Sequence, residues 1–142
     1  MEHRHVKNIS ALIHFMNDLH TELFDMSAYV HSCGSPSCAL GWACTVPELK
    51  AEGLNIEHLK NHALGSPSMM ATAVFGEYLD LFRSRYFETV KTPQDWATHA
   101  RSFLKSRGHD VLPKTERQRS DFMRFMEIAL KPLEPEMLAS SN

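Results

Sequence analysis

The sequence predicts an all-α fold, a compact single-domain bundle of about six or seven short helices, and three observations predict it. Apolar residues recur at steps of three and four, the spacing of one helical face. Hydroxyl–proline pairs and glycines punctuate the chain at helix-length intervals. No stretch alternates apolar and polar residues strictly enough for a strand. The 142 residues are 43% hydrophobic and 23% charged, ordinary values for one globular domain. The domain is expected over residues 1–132 and a loosely ordered tail over 133–142, past Pro132.

The polar start Met1-Glu2-His3-Arg4-His5 precedes a run in which Ile9, Leu12, Ile13, Met16, Leu19 and Leu23 share one helical face. Residues Asp25 to Cys33 keep no period and read as an irregular or short helical connection. Ser35-Pro36, Ser66-Pro67 and Thr92-Pro93 each place a capping hydroxyl before a proline at the first helical position, where the missing N–H costs nothing. Thr45 with Glu48 around Pro47 marks another start and Gly53 its end, and Asn55 opens a short helix closed by Gly65.

Beyond Gly76, the residues Tyr78, Leu79, Phe82 and Tyr86 describe an aromatic-rich face. The helix from Thr92 carries a capping box with Asp95, an apolar stripe of Trp96, Ala100, Phe103 and Leu104, and a stop at Gly108. The last helix opens at Thr115 with Gln118, turns Phe122, Phe125, Met126 and Ala129 inward, and stops at Pro132.

No signal-peptide core or membrane-length apolar run is present, so the expectation is a cytoplasmic protein without membrane contact. The three cysteines, Cys33, Cys38 and Cys44, fall within twelve residues, unlike the framework of a secreted disulfide protein. Net charge is −2, yet residues 83–131 hold eleven Lys/Arg against six Asp/Glu. Within that half, Arg101, Lys105, Arg107, Lys114, Arg117 and Arg119 form a candidate anion-contacting surface for nucleic acid.

The most constrained segment runs from Cys33 to Cys44. Gly34 permits a sharp turn, Ser35 caps, Pro36 starts a helix, and Cys38 falls in its first turn, where free amides and the helix dipole favour a thiolate. Gly41 lowers helix propensity by about 1 kcal/mol relative to Ala, which suits a close approach of a neighbour, and Trp42 suits the core. Phe24-Asp25-Met26-Ser27-Ala28-Tyr29 followed by Cys33-Gly34-Ser35-Pro36-Ser37-Cys38-Ala39-Leu40-Gly41-Trp42-Ala43 resembles a family of uncharacterised bacterial and phage proteins with a C-G-[ST]-x-x-C-x-x-G-[WH] signature. Residues 92–104, opening on Thr92-Pro93-Gln94-Asp95-Trp96, are loosely similar to a later segment of the same family. The resemblance implies a phage or prophage origin and no reaction.

Four readings of the segment follow. In the leading one, Cys33, Gly34, Ser35, Pro36, Cys38, Gly41 and Trp42 form a structural motif of buried small residues around a turn. In the second, His31, Cys33, Cys38 and Cys44 supply ligand atoms for zinc, with His58 and His62 as further imidazoles, although their spacing departs from a standard zinc knuckle. In the third, Cys38 is a nucleophile needing His62, His99 or His109 within reach; the faint likeness to the Cys-Gly-Ser-Cys-Trp run of papain-like proteases is broken by inserted residues. A Cys33–Cys38 disulfide is the fourth. With no paired carboxylates, cofactor fingerprint or specific nucleophile motif, the expectation is an accessory protein that binds a host or phage protein, without catalysis and without a cofactor. The metal or thiol site centred on Cys33 and Cys38 comes next, and nucleic-acid binding third.

Overall fold

Helix α1, His3–Asp18, is buried on nearly every side and is the axis about which the rest packs. The computed structural model describes residues 1–26, 28–29, 36–61, 66–82 and 89–130. A 3-10 turn at Thr21–Leu23 follows α1. Then come α2 (Ala39–Ala43), α3 (Pro47–Ala51), α4 (Ile56–Lys60), α5 (Pro67–Phe75), α6 (Leu79–Phe82), α7 (Pro93–Ser106) and α8 (Glu116–Leu130), with no strand among the described residues. The all-α class is therefore correct. Among the described residues the helices number eight, because several are turn-length pieces of four or five residues, too short for periodicity to resolve.

The expected apolar face of α1 is present, but the polar residues between its apolar positions are buried too. Asn8 donates through Nδ2 to the Val74 carbonyl at 2.8 Å and to Glu52 Oε1 at 3.1 Å. Ser10 Oγ accepts the Leu112 amide at 3.0 Å. Each buried polar group thus has a partner and fixes a neighbouring element. Against α1 lie α7 most extensively, then α5 and α8. Gln94, in the first turn of α7, donates to the carbonyls of Asn17 and Leu19 and locks the two helix ends together.

Two aromatic clusters fill the core. Phe75, Phe82 and Trp96 lie in series, the first pair tilted at 5.2 Å and the second stacked at 5.8 Å between centroids, and Trp96 Nε1 donates to the Leu81 carbonyl at 2.7 Å. Phe15, Trp42, Phe122 and Phe125 form the second, which holds α8 to α1 and α2 through mostly edge-to-face contacts.

The helix boundaries follow local chemistry. Thr92 and Asp95 form a complete capping box at α7. Thr115 and Gln118 exchange the same pair of bonds at α8. Asn55 caps α4 and Ser66 caps α5. After α3 and α7, Gly53 and Gly108 adopt φ of +117° and +78°, and the amides of Leu54 and His109 reach back to the carbonyls of Leu49 and Leu104 in Schellman closures.

Four expectations need correction. Ser35-Pro36 does not open α2: Pro36 is extended and α2 begins at Ala39. The N-cap of α3 is Val46, because the Thr45 hydroxyl donates backwards to the Trp42 carbonyl. Helix α4 ends at Lys60, ahead of Gly65, which lies outside the described residues. Leu79 is exposed, since α6 is a single turn that buries Leu81 and Phe82 instead. Tyr86, Pro132 and the 133–142 tail also lie outside the described residues.

Candidate functional site

Ser37 brings the described part of the cysteine segment into contact with Asp25 and Tyr29. The Asp25 amide donates to the Ser37 carbonyl at 3.0 Å, the Ser37 amide to the Tyr29 carbonyl at 3.1 Å, and Ser37 Oγ to the Asp25 carbonyl at 2.8 Å. These bonds account for the late start of α2. Proline's fixed φ suits an extended backbone as well as a first helical turn, and here the amide of Ser37 is taken by Tyr29.

Cys38 therefore sits at the N-cap of α2, fully buried. The amides of Gly41 and Leu40 favour its thiolate, as a helix start should, but burial outweighs them and pushes the thiol up to about 11, with Asp25 adding in the same direction. Burial and the neighbouring Cys38 raise Cys44 further, to about 12. Both are free, neutral thiols near pH 7. The pull of the helix start toward a thiolate is thus outweighed by desolvation.

Gly41 answers to a backbone contact. A Cβ on it would run into the carbonyl oxygen of Tyr29, the same oxygen that accepts from Ser37. Trp42 is buried, donates from Nε1 to the Leu23 carbonyl at 2.9 Å, and meets Phe15 and Phe125. Gly41 and Trp42 thus hold α2 against Tyr29 and Leu23, and Cys38 is buried at the start of α2. His31, Cys33, Gly34, Ser35 and His62 lie outside the described residues. Among the described residues, no three His, Cys, Asp or Glu side chains gather as a metal-ligand set.

The clamp positions Tyr29, whose hydroxyl meets that of Tyr78 in a close hydrogen bond. Both tyrosines line an open groove of about 1110 Å³, with Ser66, Pro67, Ser68 and Thr72 from the first turns of α5 and Glu77 and Leu79 around the start of α6. Ser66 and Ser68 hydroxyls bond each other at 2.9 Å, and Glu77 Oε1 accepts the Asp80 amide at 3.4 Å. This groove was not expected from sequence. Its only trace there is the Ser66-Pro67 start and the aromatic at Tyr78, and neither announces a shared surface with Tyr29, 49 residues away.

The candidate anion surface is largely neutralised from within. Lys114 pairs with Asp18, Arg117 with Asp121 at 3.6 Å, Arg119 with Glu116 at 2.9 Å, and Arg107 with Asp80 at 3.6 Å while its guanidinium lies 3.9 Å from the Phe103 ring centroid. Arg101 and Lys105 are exposed on α7 and have no such partner among the described residues. Of the histidines proposed to serve Cys38, His99 bonds the Asp80 carbonyl and His109 is half-buried beyond the C-terminus of α7.

Compared with protein-family models, curated proteins and solved structures, the chain matches none of them. Among the described residues, no helix is long and apolar enough to cross a membrane.

Proposed function

We propose that this chain is a phage- or prophage-type accessory protein of the cytoplasm that acts by binding a host or phage protein, without catalysis. The phage assignment rests on the likeness of residues 24–44 and 92–104 to the family with the C-G-[ST]-x-x-C-x-x-G-[WH] signature. The binding assignment rests on one observation, the groove between Tyr29, α5 and Tyr78. Tyr29 and Tyr78 offer large contact area at little entropic cost, and the serine hydroxyls beside them offer adaptable hydrogen bonds, a pairing that antibody binding loops also use. Leu79 in the wall and Met69, which is adjacent on α5, are among the most exposed large apolar side chains, at 65% and 73%. Burial of Cys38 speaks against a thiol-dependent site centred on Cys33 and Cys38, and the internal ion pairs speak against phosphate binding.

A photo-reactive phenylalanine analogue placed at Met69 tests the reading in cells of the source organism. The expected result is a discrete covalent adduct with one protein, lost with Tyr78→Ala or Leu79→Asp. No adduct, or adducts indifferent to both substitutions, would overturn it.

A further inference from the structure

We draw no further inference here: the strongest candidate, the half-buried Glu77 in the wall of the groove between Tyr29, α5 and Tyr78, belongs to the site already described, and nothing in the structure shows what faces it there.

Discussion

Single residues in the cysteine segment are held by contacts that sequence reading anticipates only in kind. Gly41 stands out as a helix-weakening residue, and that identified a close approach; that the approaching group is the Tyr29 carbonyl depends on a fold-back of the chain no local pattern encodes. The consequence for mutation is clear in sign. Alanine adds about 1 kcal/mol of helix propensity, but its Cβ meets a backbone oxygen that cannot move without breaking its bond from Ser37, so Gly41→Ala should lower stability by about 1–3 kcal/mol in denaturant unfolding. A stabilised Gly41→Ala protein would remove the clamp from the account. At Cys38 the local signal of a helix start points toward a thiolate, and burial, which no local pattern displays, opposes it. Its thiol, at about 11 in the fold against 9.0 unperturbed, holds its proton more tightly when folded. The stability this gives is present in full below about pH 9 and is lost as pH rises from there through the folded value near 11. Unfolding free energy should therefore fall across that window by about 1.4 kcal/mol per pH unit for each such thiol. Cys38→Ala should have a shallower alkaline slope than the native chain; equal slopes would show that Cys38 is not the buried thiol responsible.

At the scale of elements, legibility tracked how local the determining chemistry is. The α7 and α8 starts could be read because a hydroxyl and an acid or amide three residues on satisfy each other's nearby amides, with no help from the rest of the chain. The α2 start could not, since the amide of Ser37 was claimed by Tyr29, and the α3 cap could not, since Thr45 turned its hydroxyl to Trp42. Thr92→Ala should accordingly cost about 1 kcal/mol and Thr115→Ala a similar amount, while Thr45→Ala should show no cap-sized loss at α3. Chemical unfolding of the three variants checks this, and a Thr45→Ala loss as large as that of Thr92→Ala would contradict the assigned caps. Helix α8 offers a second measurement. Its Phe122 and Phe125 are only half-buried, yet Phe125 touches both Phe15 and Trp42, so Phe125→Ala should lower stability by about 2 kcal/mol, less than for a fully buried ring. A change within about 0.5 kcal/mol would mean that α8 contributes little to holding the bundle together.

For the whole molecule, the all-α class and the core stripes of α1 and α7 were legible because helical periodicity is a property of each segment alone. The central position of α1 and the groove between Tyr29 and Tyr78 were not, because each is made by residues from distant parts of the chain. Charge shows the same limit. Counting residues gives a basic second half, but packing brings Asp18 and Asp80 from the acidic first half onto Lys114 and Arg107, while Asp121 and Glu116 hold Arg117 and Arg119. Exposed pairs of this kind contribute little stability, yet each must be opened or shared before its cation can neutralise a phosphate. Of the six basic residues on the candidate surface, Arg101 and Lys105 remain for that purpose. Duplex DNA binding through this surface should then release counterions for about two phosphates, giving a slope of log affinity against log salt near −2 between about 50 and 200 mM. Fluorescence anisotropy of a labelled duplex measures it directly. Replacing Arg101 and Lys105 together by alanine should remove most of that slope. A slope of about −5 or steeper that survives the double replacement would mean that the ion pairs with Asp18, Asp80, Glu116 and Asp121 open on contact with nucleic acid, and the basic half would then be a binding face after all.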